Sequence, residues 1–360
     1  MTITTTTTTI DERKLEEFVG HVATELGAAL NAALVTLGDE LGLYRAMADG
    51  QPVTPADLAT RTGTQERYVR EWLNVQAASG FVLYDAAIEA YVLPPEHALV
   101  LADDTSPVSM IADFEGANAA VAVREQLVER FVSGEGVGWH EHHHGLWHGT
   151  ERSFGINYRT HLVAEWLPAL HGVVARLQAG GLVADVGCGH GASTILMAQA
   201  FPASRFVGFD YHEASIATAR ERAAEAGVAD RVSFEVAGAA EYGGEGYDLV
   251  AFFDSFHDLG DPVGAARHAA QVLAPDGTCV LVEPYAGDRV EDNLNPLGRV
   301  YYGFSTLVCT PGSLSRPGRA ALGTQAGEAR LREALQAGGF GTVRRAAETP
   351  LNLVLEARLP

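Results

Sequence analysis

Leu182-Val183-Ala184-Asp185-Val186-Gly187-Cys188-Gly189-His190-Gly191 is the stretch that decides the fold. A run of strand-forming residues ends in an acid, and three glycines then alternate into the helical pattern of Ala192 to Ala200. Alternating glycines allow a sharp strand-to-helix turn and leave bare backbone for a ligand at a helix N-terminus. The spacing is G-x-G-x-G rather than the G-x-G-x-x-G of dinucleotide sites. No Gly-Lys-Ser/Thr follows, so it is not a P-loop. By itself the loop marks either a cofactor site or an ordinary structural βα turn.

Downstream, strand and helix patterns alternate. Residues 205–209, 232–236, 247–253 and 278–282 read as strands, with helices at 213–225 and 262–272 between them. Such alternation predicts a parallel sheet covered on both faces, with ligands beyond the carboxyl ends of the strands. Informative residues fall at those ends. Asp185 closes the first strand. Asp210 and Tyr211 close the second, about twenty residues on, where an acid can accept ribose hydroxyls. Gly238 and Ala239 follow the third strand, Asp254 and Ser255 the fourth, and Glu283 ends the fifth.

With these residues in view, Asp185 to Gly191 resembles motif I of the class I S-adenosylmethionine-dependent methyltransferases. The phrases from Phe253 to Pro262, Val282-Glu283-Pro284 and Gly287 to Asn293 are similar to actinobacterial members with an N-terminal winged-helix-like domain. The resemblance implies a Rossmann-like α/β domain with a mostly parallel seven-stranded sheet over 156–360, with an insertion at 285–324. It implies S-adenosylmethionine as cofactor, held by Asp185, Gly187, Cys188, Gly189, Gly191, Asp210, Tyr211, Gly238, Ala239, Asp254 and Ser255, with Tyr158 as a cover. Many relatives carry an acid where this chain has Gly238. His257-Asp258 looks like the His-Asp of plant-type O-methyltransferases, which makes His257 a candidate general base. Histidine can be both unprotonated and basic near neutrality. Glu283 is a second candidate, for the substrate or for a nearby arginine.

Upstream, helical spacing at Leu15 to Leu26 and again at Leu34 to Met47 predicts two helices. Residues 54–78 read as helix-turn-helix and 81–93 as a hairpin, giving a mainly helical winged-helix-like domain over 11–133. Arg67 and Arg70 alternate with Glu66 and Glu71, so the second helix lacks the basic stripe that a DNA-binding helix uses. Thr2 to Thr9 is low-complexity sequence, and 1–10 is expected to be a disordered tail. Residues 134–155 hold His140, His142, His143, His144 and His148 between glycines. This stretch reads as a linker or pocket loop, with Trp139, His140, His142 and His144 as candidate substrate contacts. The cluster shows no obvious helix that would put two rings on one face, so no metal is assigned.

The formal charge of −21 disfavours nucleic acid and anionic membranes. Cys188, Cys279 and Cys309 are too far apart for a zinc knuckle and suggest reduced thiols. No apolar run approaches a membrane span or signal peptide, so a cytoplasmic protein is expected. The sequence therefore predicts methyl transfer from S-adenosylmethionine to a small-molecule acceptor by a homodimer. Two other readings compete: a ligand-sensing winged-helix regulator with a vestigial catalytic domain, and a metal-assisted C-methyltransferase.

Overall fold

The computed structural model describes residues 10–360 and divides into two compact units, Met1–Asn118 and Ala119–Pro360. The threonine-rich stretch 2–9 lies outside the described residues.

In the first unit the two N-terminal helical patterns merge into one helix, Glu12–Glu40, capped by the Asp11 carboxylate on the Lys14 amide. It ends where the chain turns at Gly42 (φ +68°). The helix-turn-helix is Pro55–Thr62 and Glu66–Ala78. Thr54 and Asp57 form a capping box at its start, and Gly63 turns it in the left-handed region. The hairpin pairs β1 (Leu83–Asp85) antiparallel with β2 (Ala90–Val92). Val35, Tyr44, Met47, Leu58, Trp72 and Leu73 form the core. One polar network crosses it: Tyr44 donates to Gln76 (2.6 Å), and Gln76 donates to Asn31 (2.7 Å). Arg67 and Arg70 are each paired with a glutamate of their own helix, Glu71 and Glu66.

One face of the long helix is left bare. Leu15, Phe18, Val19, Val22, Leu26 and Leu30 are all exposed. Among the described residues, Glu12–Glu40 is the one helix long and apolar enough to cross a membrane by length and composition.

The second unit begins earlier than the sequence suggests. Ala119 and Ala120 pack with Leu146, Val308 and Cys309, and Val123 and Leu127 pack on Val137, so these residues share its core. Its sheet holds seven strands: β3 (Leu182–Val186), β4 (Arg205–Asp210), β5 (Val232–Val236), β6 (Tyr247–Phe253), β7 (Leu273–Pro284), β8 (Thr342–Glu348) and β9 (Asn352–Arg358). The order is β5-β4-β3-β6-β7-β9-β8, with β9 antiparallel to both neighbours and the other pairs parallel. Strand order reverses between β3 and β6, which opens a crevice beyond their carboxyl ends. Apolar side chains of β3, β6 and β7 fill both faces, as a doubly covered sheet requires.

The closing strand is anchored by one buried charge. Glu356 on β9 is 2% exposed and pairs with Arg344 and with Arg358 (2.8 Å), and it accepts the His171 amide (3.2 Å). Removing Glu356 leaves two partly exposed arginines and the His171 amide without their acceptor. Glu356→Ala should destabilise the unit by about 1–3 kcal/mol, read by thermal and urea unfolding.

Candidate active site

β3 delivers Asp185 and then the glycine loop at the crevice. Gly187 (φ +79°) needs its missing side chain, because a Cβ there would lie 2.6 Å from the Ser255 Cβ. Gly189 (φ +53°) faces open space, and its amide donates to Asp210 at 3.0 Å. Gly191 (φ +80°) packs against Phe234, where a Cβ would come within 2.6 Å of the ring. Cys188 is buried, and its amide bonds the Phe209 carbonyl at the end of β4 (3.0 Å). Asp210 also accepts the His212 amide (2.8 Å), and its carbonyl takes the Ala237 amide, which places Gly238 and Ala239 beside it. The neighbouring Tyr211 ring carries the Arg316 guanidinium 4.1 Å over its face.

Asp185 is wholly inside. One oxygen accepts the Ser193 and Thr194 hydroxyls, each at 2.6 Å, while Oδ1 has no partner among the described residues. Burial, only partly offset by those hydroxyls and aided by Asp210, lifts its pKa to about 6. Asp254, just after β6, adopts a left-handed φ of +50° that few non-glycine residues tolerate. Its amide is tied to the Val282 carbonyl (2.7 Å), and Oδ1 accepts Asn352 (2.8 Å). Its Oδ2 is buried without a partner, and burial beside Glu283 pushes this carboxyl well above the usual range. Tyr158 is buried next to Phe253 (ring centroids 5.7 Å apart), close enough to Asp254, Asp185 and Glu283 for their charges to raise its pKa along with burial.

Glu283 and His257 form the other end. Glu283 Oε2 takes the imidazole Nδ1 at 2.6 Å, and the same carboxylate accepts the amides of Phe256 (2.9 Å) and His257 (3.2 Å). Glu283 is thus paired with His257 on the neighbouring loop. Imidazole Nε2 points the other way, 3.2 Å from Asp258 Oδ1. Burial by itself would lower the His257 pKa. Asp258 and Glu283, with hydrogen bonds to Cys309 and Glu283, overrule it and hold the ring's pKa well above the ordinary histidine value.

The histidine-rich stretch is not a loop throughout. After a short turn at Trp139–Glu141 it forms the helix His144–Asn157, because the His143 ring caps the Gly145 amide (3.1 Å). The side chains of His140 and His144 are exposed, whereas His142 is buried (5% exposed) with neither ring nitrogen bonded. Trp139 is half-buried and its carbonyl accepts the Trp147 indole N–H (3.3 Å). Glu151 on this helix reaches the glycine loop by accepting His190 (2.8 Å), and it pairs with Arg222. The predicted insertion at 285–324 includes the helix Pro296–Phe304, a π-helical turn Ser305–Cys309 and the helix Thr310–Leu314. Sequence reasoning missed Glu151, Asn352 and Cys309. Asn352 lies 98 residues from its partner, and no local pattern announces such a contact.

With this geometry, the comparisons with known proteins become specific. Residues 177–311 match the family described as a methyltransferase domain, and residues 28–103 match the Rv2258c-like winged HTH domain. The chain carries a methyltransferase domain. It is 34% identical over 146 residues to the 27-O-demethylrifamycin SV methyltransferase of Amycolatopsis mediterranei, an alignment covering 40% of this chain and 51% of that protein. The chain spans about half the length of the first curated relatives it matches. The fold is shared across nearly the full chain with an O-methyltransferase family protein from Burkholderia thailandensis (TM-score 0.69, 17% identity, covering 95% and 98% of the two chains). It is likewise shared with human N-acetylserotonin methyltransferase in complex with SAM (TM-score 0.68, 15% identity, covering 98% and 99%).

Asp185 gives the site a pH signature. A carboxyl whose folded pKa is raised binds its proton more tightly than the unfolded chain does. Its contribution to stability is full below pH ~4 and is lost as pH rises through about 6. Asp185→Asn keeps an acceptor for Ser193 and Thr194 but cannot ionise. The variant should therefore gain stability over the parent between pH 4 and 8, on the order of 2–3 kcal/mol. Urea unfolding at both pH values measures it.

Proposed function

We propose that this protein transfers a methyl group from S-adenosylmethionine to an oxygen of a small-molecule acceptor. One observation carries the reading: a glycine cradle at the switch in strand order holds two buried carboxyls, Asp185 and Asp254, each with an unpaired oxygen. A cationic ligand suits such oxygens, because a positive charge compensates carboxylates that burial otherwise penalises. Asp210 is placed for ribose hydroxyls, with Gly187, Cys188, Gly189 and Gly191 for the methionine part. Tyr211, Gly238 and Ala239 would hold the adenine, with Ser255 packed against Gly187 and Tyr158 as a cover. The bound cofactor supplies an electrophilic methyl on a sulfonium.

The chain's own work is alignment, exclusion of water and removal of the acceptor proton. Glu283 fixes the His257 ring with Nδ1 inward and Nε2 toward the acceptor. When the acceptor hydroxyl approaches, the Nε2 proton passes by way of Asp258 to solvent, and the freed Nε2 then takes the acceptor's proton. The wall of helices between 296 and 314 and the buried His142 and Trp139 side shape the acceptor end. His140 and His144, being exposed, take part only if that wall closes further on the acceptor. The names of the relatives favour a small molecule, and the self-paired arginines of the helix-turn-helix favour a scaffold over nucleic-acid binding.

The bare helix fits a homodimer in the cytoplasm better than a membrane. Its exposed apolar residues recur at positions 15, 18, 19, 22, 26 and 30, while Glu16, Glu17, His21 and Glu25 interrupt the rest of the surface. A lipid-facing helix is apolar all round. Leu26→Glu should shift the mass measured by light scattering from two chains to one.

Isothermal titration should show S-adenosylmethionine binding at micromolar to millimolar concentration, and a flat titration refutes the reading. His257→Ala should keep that affinity while lowering turnover about 10²–10⁴-fold, the usual span for a general base. Unchanged turnover removes the base from His257.

A further inference from the structure

Beyond methyl transfer, a second chemistry is built at the acceptor end. His257, Asp258 and Cys309 each place one potential ligand atom so that all three lie within 4.8 Å of one another. They come from two separate elements: the turn Phe256–Asp258 after β6, and the π-helical turn Ser305–Cys309. The segments that follow them are joined: Ser313, on the helix after the π-helical turn, donates to the carbonyl of Leu259, the residue after the first turn, at 2.8 Å. Single π-turns inside helices are frequent at functional sites, because they reset which side chain faces inward.

Two further features point to a missing cation. Asp258 Oδ1 is buried without a hydrogen bond, although it lies 3.2 Å from His257 Nε2. His142 is 5% exposed with both ring nitrogens unbonded, and it senses the Asp258 charge. A buried imidazole without any partner is expensive in a folded protein.

We propose that His257 Nε2, Asp258 and Cys309 bind one borderline-soft divalent cation, zinc-like in preference, with a fourth position open beside His142. The donor set of imidazole nitrogen, carboxylate oxygen and thiolate suits such an ion. Metal–ligand bonds of about 2.0–2.3 Å put ligand atoms about 3.3–3.8 Å apart, so the three need only a small contraction. The supporting contact is already present: Glu283 holds Nδ1, the carboxylate–histidine–metal arrangement that fixes ring orientation and raises ligand basicity. On binding, the cation replaces the protons on Sγ and Nε2, which pass to solvent. Nε2 then holds either a proton or the cation. In the cation-loaded form an acceptor hydroxyl at the open position would be acidified by coordination and release its proton to solvent, so His257 no longer takes it. The site borrows the methyltransferase reading for this consequence only; its existence does not depend on that reading.

Cobalt(II) is the probe, titrated into full-length protein purified without a polyhistidine tag and stripped with chelator. One cobalt per chain is expected, with a sulfur-to-cobalt charge-transfer band that zinc abolishes. Cys309→Ala should lose the band and Glu283→Gln should weaken binding about 10–100-fold, while Cys279→Ala keeps both. Circular dichroism checks that each variant is folded. No band at millimolar cobalt in the parent, or a band that survives in Cys309→Ala, overturns the site. S-adenosylmethionine titrations on the same preparations separate the two ideas. Cobalt binding without cofactor binding supports the metal site and refutes methyl transfer; the reverse outcome removes the metal site and leaves methyl transfer standing.

Discussion

The Glu283 carboxylate is the tie on which the reactive end of the crevice depends. It sits at the end of β7 with its side chain 1% exposed, and it bonds two successive backbone amides and one ring nitrogen of the neighbouring loop. A buried carboxylate is tolerated when charge-assisted bonds satisfy it, and three donors do so here. The consequence is geometric. The loop after β6 has one position relative to the sheet, and His257 has one orientation, with Nε2 outward. Asp254, four residues before Asp258 on the same loop, is held in a strained conformation by the same sheet through Val282 and Asn352. Such strain persists only where the surroundings over-determine it.

At the cofactor end the constraint is different. Three left-handed glycines let the chain turn from β3 into a helix while packing flush against Ser255 and Phe234. Rigidity there comes from missing side chains, and at the other end from a saturated carboxylate. The two ends meet at Asp254 and Tyr158, where partly satisfied polar groups surround the space between them. That combination gives a fixed crevice lined by buried groups, and displacement chemistry at a sulfonium relies on such alignment.

The strands and the cofactor loop were legible because local rules specify them. Apolar runs, glycine spacing and an acid at a strand end are properties of a few adjacent residues, and β3, β4, β6 and the Asp210 position follow from them. The single helix Glu12–Glu40 was read as two because the pattern weakens around Gly27 to Asn31, yet no breaker interrupts it. The helix His144–Asn157 was read as loop because its histidines and glycines are poor helix formers; a His143 cap and packing of Leu146 on Val308 and Cys309 override propensity. Cys309, Asn352 and Glu151 were invisible for another reason. Their meaning lies in partners 39 to 98 residues away, and one chain read along its length does not pair them.

This difference in legibility follows the division of labour. The cofactor end is built from one contiguous βα turn plus strand ends, so its chemistry is written in short motifs. The acceptor end is assembled from the turn after β6, the helices of 296–314 and the stretch from Trp139, joined by single contacts such as Ser313 to Leu259 and Val137 to Pro311. Side chains on those walls can change without disturbing Glu283 or the glycine cradle, since neither tie runs through them. A fold arranged this way keeps its sheet and its glycine cradle while the walls vary, which accounts for near-complete structural overlap with solved methyltransferases at under 20% identity.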